Sequence, residues 1–289
     1  EIGQGTDLVL AQIAAEELGV PLARVSVVMG DTDVTPFDHG TFSSRVVVHA
    51  GNAVRQAAAQ ARAQLLERAV PLLEAPVEAL EVREGQIKVK GRAGDGLSLV
   101  SLAAATTGAG WPVVGTGSFQ GRGAYDLDLD TGQGAGRPAS EWKYGAQAAE
   151  VAVDPETGQV KVLRMAVASD AGRVINPLAL EGQAEGGAVM GMGGALWEEL
   201  VFQEGRVANA SFKDYWLPRA TDRVEVVHVP VEVPSPHGPF GAKGVGEPAN
   251  AAIAPAIASA IHQAVGVRLK DLPMTAEKVL RALQERTSA

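Results

Sequence analysis

Four glycine-rich segments constrain what this chain can fold into more than any other feature. They are Gly3-Gln4-Gly5-Thr6, Gly40-Thr41-Phe42-Ser43-Ser44, Glu181-Gly182-Gln183 and Gly244-Val245-Gly246-Glu247-Pro248. Each is predicted to lead into a helix N-terminus, where unpaired backbone N–H groups and a partial positive charge meet a ligand that glycine lets approach closely. One such segment alone is more often an ordinary capping turn. Together the four predict loops that bind a large, polar, anionic ligand.

Helical and strand patterns alternate along the chain without a strict strand-helix-strand rhythm. Helical spacing predicts helices at 7–18, where Gly19 ends the pattern, and at 52–70, 248–265 and 275–284. A further helix is expected after Asn176-Pro177, running through Gln183 to Trp197. Apolar runs predict strands at 25–29, 146–153, 160–169 and 224–233, and the loop from Asp154 to Gly158 predicts a hairpin between the second and third of them. We also expect helix-to-hairpin structure at 77–89 and a further hairpin at 201–207. The Gly-, Ser- and Thr-rich stretch at about 91–140 predicts a long loop. We therefore expect an α+β fold, with mixed sheets and packed helices in two lobes, 1–143 and 144–289.

Composition excludes several kinds of partner. The net charge of −9 disfavours binding to nucleic acid and to anionic membranes. The absence of cysteine excludes disulfides, thiolate zinc sites and iron–sulfur ligation by this chain. We find no bilayer-length apolar run and no leader sequence, and so expect a cytoplasmic protein without membrane insertion. Because the chain opens at Glu1 directly into a motif, we expect a fragment or a processed chain.

A further glycine-rich stretch imitates a nucleotide-binding motif. Residues 115–121, Gly-Thr-Gly-Ser-Phe-Gln-Gly, resemble a dinucleotide fingerprint, but they hold one residue too many and no clear helix follows. We therefore do not predict a Rossmann site there.

The order and spacing of the motifs resemble one family. Residues 3–6, 15–21, 30–33 and 40–45 resemble the molybdopterin-binding stretch of large subunits of the xanthine dehydrogenase and aldehyde oxidase family, the molybdenum hydroxylases. Residues 170–177 with Gln183 resemble a second cofactor segment, and residues 241–248 resemble the loop with the catalytic glutamate. The resemblance runs from Gly3 to about Val279 and is weakest at 91–140. It implies the C-terminal, molybdenum-cofactor-binding region of such a subunit.

The resemblance implies a specific cofactor and a set of residues that contact it. The cofactor is a molybdenum ion held by the dithiolene of a pterin phosphate, and its mononucleotide or dinucleotide form stays open. The implied contact residues are Gly3, Gln4, Gly5, Thr41, Phe42, Ser43, Ser44, Arg45, Gln183, Lys243, Gly244, Val245 and Gly246. Ser43 is implied to lie nearest the metal without being a side-chain ligand.

Glu247 is the candidate catalytic residue. The resemblance implies that it is a general base in the oxidation of an N-heterocycle or an aldehyde, with water as the oxygen source. From the residues alone, a carboxylate between Gly246 and Pro248 could instead cap the following helix. Partial burial would raise the pKa of such a carboxylate and a helix N-terminus would lower it. The alternative function is a non-catalytic cofactor-binding or assembly module of a redox complex.

The resemblance also implies partners besides a small-molecule substrate. Electrons would leave through iron–sulfur clusters and FAD, which must lie on other domains or subunits because this chain has no cysteine. The preceding part of the same large subunit would supply further pterin contacts and most substrate-selecting side chains. We therefore expect an oligomeric enzyme, and an isolated chain that binds cofactor weakly or not at all and is inactive.

Overall fold

The contacts of the chain divide it into two compact units. The computed structural model describes residues 1–94, 96–106, 111–121, 128–134 and 141–288. Unit 1 comprises Glu1–Trp142 and Pro234–Gly244, and unit 2 comprises Lys143–Val233 and Val245–Ala289. Helices and mixed sheets occur in the chain as the α+β class predicts. No helix in the described ranges is both long and apolar enough to cross a membrane.

Two packed helices form one part of unit 1. Helix α1 (Thr6–Leu18) ends at Gly19, whose left-handed backbone lets its N–H return to the carbonyl of Ala15. Helix α2 (Val46–Leu73) is longer than the predicted 52–70, because it begins earlier and continues past Pro71. The buried Glu17 of α1 binds two arginines of α2, with Arg55 Nε at 2.9 Å and Arg62 Nη2 at 2.8 Å.

A small antiparallel sheet forms a second core in unit 1. Strands β1 (Leu80–Arg83), β2 (Gln86–Val89) and β3 (Leu97–Ser98) pair in sequence order, and α3 (Leu99–Ala105) follows. Ile87 and Leu102 are fully buried against the end of α2. The predicted loop at 91–140 is therefore wrong for 97–105, since these elements are too short to show a period. The strand predicted at 25–29 pairs with no other strand in the described part of the chain.

Residues Pro234–Gly244 belong to unit 1 although the sequence places them inside the predicted lobe at 144–289. Asn52 of α2 donates its side-chain N–H to the carbonyl of His237 at 2.7 Å. The Arg55 guanidinium lies 4.5 Å from the ring centre of Phe240. A Cβ at Gly51 would come within 2.9 Å of Pro239 Cγ, so glycine there permits the close approach. These contacts fasten the segment to α2, and no local pattern reveals them.

A three-stranded sheet lies in unit 2. Strands β4 (Gly145–Val153) and β5 (Val160–Asp170) form an antiparallel hairpin, as predicted. Helix α4 (Pro177–Leu196) and the hairpin of β6 (Phe202–Gln203) and β7 (Arg206–Val207) come next. Strand β8 (Glu225–Val231) then returns parallel to β5.

Three helices complete unit 2: α5 (Pro248–Ala251), α6 (Ile253–Val265) and α7 (Ala276–Ser288). The single helix predicted at 248–265 is interrupted at Ala252, whose φ of −112° and ψ of 10° leave the helical region. Ile253, Ile257 and Ile261 follow at helical spacing and are fully buried in the core of unit 2, where α6 packs on β4 and α4. The break separates the start of α5 from this buried stripe.

Candidate functional site

Gln4 joins the first two glycine-rich loops in unit 1. Its side-chain amide donates to Thr6 Oγ1 at 2.5 Å and to Thr41 Oγ1 at 3.3 Å. Gly3 and Gly5 on either side adopt positive φ angles of 103° and 80°, which favour glycine. Two loops that lie 37 residues apart in the sequence thus meet at one side chain.

The Glu1 carboxylate lies on the backbone of the first loop and the start of α1. It accepts hydrogen bonds from the N–H groups of Gly3 at 2.7 Å, Gly5 at 2.9 Å, Thr6 at 2.6 Å and Asp7 at 3.2 Å. Burial acts to raise the pKa of this carboxyl, but the four hydrogen bonds together hold it below its ordinary value. The donors of this loop therefore converge on one anion, as a helix N-terminus favours.

The second loop holds two consecutive strained residues. Ser43 and Ser44 have φ angles of 53° and 49°, a left-handed conformation that residues with a Cβ rarely adopt. The Arg45 guanidinium lies 5.0 Å from the ring centre of Phe42, and its Nε donates to Nδ1 of His49 at 3.4 Å. Such backbone strain clusters at ligand-binding segments. The strain marks this loop, which leads into α2, as a candidate binding segment.

The segment at 115–121, whose sequence resembles a dinucleotide-binding motif, packs on α2. A Cβ on Gly115 would overlap the carbonyl of Ala57, and a Cβ on Gly117 would overlap that of Ala53. These glycines let an extended segment lie directly on the backbone of α2. They are explained by packing, without a phosphate.

The second predicted cofactor segment follows β5 in unit 2. Asp170 at the end of β5 is buried, and its Oδ1 accepts from the N–H groups of Gly172 at 3.1 Å and Val233 at 3.4 Å. Asn176 caps α4 by accepting from the N–H of Ala179 at 3.1 Å. The turn that leads into α4 is thus fixed by two side chains of its own sequence.

Gln183 lies inside α4, and the prediction that 181–183 forms a loop before a helix is wrong. The helix begins earlier because Asn176 caps it and Pro177 occupies its first turn, where proline is favoured. The backbone N–H of Gln183 consequently belongs to the helical ladder, so only its side chain, which is half-buried, is left to contact a ligand. A Cβ on the neighbouring Gly182 would meet nothing within 4 Å, so this turn of the helix borders open space.

The fourth predicted loop crosses from one unit to the other. Lys243 and Gly244 end the segment of unit 1, while Val245, Gly246 and Glu247 open the last part of unit 2. Glu247 is exposed, where partial burial was considered from the sequence, and its side chain makes no capping hydrogen bond to α5. The structure thus gives no support to the alternative that Glu247 is a side-chain cap.

The backbone beside Glu247 is held by residues that the sequence did not single out. Gln147 of β4 donates its side-chain N–H to the carbonyl of Pro248 at 2.7 Å. A Cβ on Gly187 of α4 would come within 2.8 Å of Ala249 Cβ, so α5 packs closely on α4. Gly187 and Gly191 are four residues apart and so lie on the same face of α4. This spacing is the sequence signal that could have predicted the close approach of another segment to α4.

Comparison with known proteins decides the family. A family model described as a molybdopterin cofactor-binding domain matches residues 1–224. The chain belongs to this family of molybdopterin cofactor-binding domains. The matched range includes Gln4, Ser43 and Gln183, and it ends before Glu247.

Curated relatives extend the similarity along nearly the whole chain. The gamma subunit of the 6-hydroxypseudooxynicotine dehydrogenase complex of Paenarthrobacter nicotinovorans is 39% identical over 291 residues, which span 98% of this chain and 35% of that protein. The xanthine dehydrogenase molybdenum-binding subunit of Escherichia coli O157:H7 is 33% identical, over 96% of this chain and 36% of that protein. The chain thus spans about a third of the length of these relatives.

Solved structures confirm the fold. The Cu,Mo-CO dehydrogenase matches with a TM-score of 0.82 and 29% identity, over 99% of this chain and 35% of that chain. Quinoline 2-oxidoreductase from Pseudomonas putida 86 also matches with a TM-score of 0.82 and 29% identity, over 99% of this chain and 36% of that chain. The resemblance to molybdenum-binding large subunits of the xanthine dehydrogenase type is therefore confirmed.

Proposed function

We propose that this molybdopterin cofactor-binding domain is the C-terminal catalytic portion of a molybdenum hydroxylase. The observation that supports this most directly is the contact of Gln4 with Thr41, which brings two glycine-rich loops together within the family match. The proposal extends the family membership to a role in catalysis for Glu247.

The residues of unit 1 fit an anionic pterin cofactor. Two observations support this fit: the N–H groups of Gly3 and Gly5 donate to the Glu1 carboxylate, and a Cβ on Gly3 or Gly40 would meet open space. In unit 1 we assign the cofactor contacts to Gly3, Gln4, Gly5, Thr41, Phe42, Ser43, Ser44, Arg45, Lys243 and Gly244. We assign further contacts to Gln183, Val245 and Gly246. When bound, the molybdenum cofactor supplies a Lewis acid and a two-electron acceptor.

The role of Glu247 is proton transfer. A carboxylate oxygen of Glu247 accepts the proton of the water-derived nucleophile. The oxygen of the nucleophile bonds to an electron-poor carbon of the substrate, and the C–H bond of that carbon breaks, its hydrogen leaving with two electrons to the acceptor. Pro248 follows Glu247 directly and fixes φ at the first position of α5. This restricts the backbone next to Glu247. The other proposed contact residues bind and orient the cofactor, and they take no part in proton transfer.

The substrate that we propose is an N-heterocycle, with an aldehyde as the second candidate. Relatives and neighbours named for 6-hydroxypseudooxynicotine, nicotine and quinoline favour the heterocycle. We propose that the partners are the remaining part of the same large subunit and iron–sulfur and flavin domains or subunits, in a cytoplasmic oligomer. The named relatives are subunits or large chains, which supports such an assembly.

Replacing Glu247 by Gln in the complete enzyme tests the proposal. We expect dye-linked substrate oxidation to fall by about 10²- to 10⁴-fold, because the variant keeps the shape of the side chain but loses the proton acceptor. Molybdenum and pterin, quantified in the same preparation, should stay at the wild-type ratio. Unchanged turnover with bound cofactor would contradict the catalytic role and favour a non-catalytic cofactor-binding or assembly module.

A further inference from the structure

One side-chain hydrogen bond connects the central sheet of unit 2 to the residue after Glu247. Gln147 lies within β4, and its Nε2 donates to the carbonyl of Pro248 at 2.7 Å, across 101 residues of sequence. Gln147 belongs to a strand, and Pro248 is the first residue of helix α5. The bond therefore fixes the start of α5 to the sheet.

The orientation of the Gln147 amide is determined by this bond. Turning the amide over would place its oxygen against the carbonyl oxygen of Pro248, so only one orientation is favourable. In the observed orientation, Oε1 is buried and has no hydrogen-bond partner among the described residues. A buried acceptor without a partner is unfavourable. Among the described residues, the Nε2 donor therefore supplies the hydrogen bond that holds this amide.

Helix α4 also packs against this turn. Gly187 and Gly191 of α4 leave room for Ala249 and Asn250, whose nearest atoms would lie 2.8 and 2.7 Å from an added Cβ. Helix α5 contains only four residues, and its own ladder is too short to hold it rigidly. Packing on α4 and the bond from Gln147 together define where the α5 backbone begins.

We propose that Gln147 is a positioning residue for Glu247. The inference rests on the proposed function, in which Glu247 is the base. Gln147 touches neither substrate nor cofactor in this role, and it acts through the peptide that follows the base. Because a misplacement of roughly 1 Å costs up to about 10²-fold in rate, removal of this bond should lower catalysis while it leaves binding intact.

The variant Gln147→Met tests this role in the complete enzyme, because methionine keeps the length of the side chain and has no N–H donor. We expect kcat to fall about tenfold, with KM and the molybdenum content unchanged. Gln64→Met is the matched control. It removes a similar amide-to-carbonyl bond, from Gln64 Nε2 to the oxygen of Val114 at 2.8 Å, in unit 1. The control should keep kcat within about twofold of the wild type.

The same substitution in a Glu247→Gln background separates positioning from general damage. If Gln147 acts by placing the base, Gln147→Met causes no further loss once the base is gone. An equal fold-loss in both backgrounds, a wild-type kcat, or molybdenum lost in proportion to activity would each overturn the inference. Full turnover by Glu247→Gln alone would instead refute the proposed function, and the inference with it.

Discussion

At the residue scale, Glu17 shows how one buried charge can organise two helices. Its carboxylate oxygens each accept from a different arginine of α2, and the Arg55 guanidinium also lies over the Phe240 ring. Removing either partner of a buried ion pair lowers stability, because the remaining charge is left without compensation. Both arginines are about two-fifths exposed, so solvent weakens each pair.

Replacing Glu17 by Gln should lower the free energy of unfolding by about 2 kcal/mol, since it leaves two arginines without their shared anion. Urea unfolding of the purified protein measures the effect. Glu16→Gln is the control, because the neighbouring Glu16 is exposed and should change stability by less than about 0.5 kcal/mol. Equal effects of the two substitutions would contradict the assigned role.

Single side chains also show which contacts the sequence predicts and which it does not. The motif order led to Gln4 and Thr41, which the structure brings into contact. It could not reveal that Glu1 would bind the amides of the same loop, or that Gln147 would reach Pro248. Such contacts depend on the path of the chain in space, and a single sequence records only neighbours along the chain.

At the element scale, strong local signals gave correct predictions. The turn at Asp154 and Gly158 between two apolar runs predicted the hairpin of β4 and β5, and Gly19 predicted the end of α1. Ala252 lies at a break for which the sequence does contain a local signal. Pro255 has no N–H, and in one continuous helix its ring would clash with the carbonyl of Ala251, so a helix that runs unbroken through 248–265 is unfavourable.

The hairpin turn should respond to pH. The side chain of Thr157 and the backbone N–H of Glu156 donate to Asp154 and hold the pKa of its carboxyl below the ordinary 3.8. A carboxyl with a lowered folded pKa stabilises the protein above its unfolded pKa, and that stability is lost as pH falls through the folded pKa. Asp154→Ala should therefore lower Tm at pH 7, and the difference from wild type should shrink as pH falls below about 4.

Thermal unfolding at several pH values checks this expectation, with Glu156→Ala as the control because its exposed side chain lies in the same turn. A Tm difference for Asp154→Ala that stayed constant down to acid pH would show that ionisation is irrelevant to the turn.

Two adjacent glycines of α4 offer a matched test of helix packing. Gly187→Ala adds a Cβ within 2.8 Å of Ala249 Cβ, and we expect a loss of about 1–3 kcal/mol from overpacking. Gly186→Ala adds a Cβ that meets nothing, and alanine's better helix propensity should stabilise the protein by about 0.5–1 kcal/mol. Urea unfolding of both variants measures these effects, and changes of the same sign would contradict the packing of α5 on α4.

At the scale of the whole molecule, the chain spans about a third of the relatives that it matches. We expect the 289-residue chain, purified alone, to retain far less than one molybdenum per chain, since other parts of a large subunit supply further contacts in the proposed enzyme. Elemental analysis of the isolated chain beside the complete enzyme measures this. A stoichiometric metal content in the isolated chain would show that it binds the cofactor unaided.

The segment Pro234–Gly244 has a practical consequence for anyone who dissects this protein. The polypeptide passes between the units at 142/143, again at 233/234, and a third time at 244/245. No single cut can therefore yield both units whole: truncation after Trp142 deprives α2 of the piece that covers Arg55, and starting at Lys143 leaves that same piece without its support. Domain swaps and split-protein designs should join or replace both stretches together.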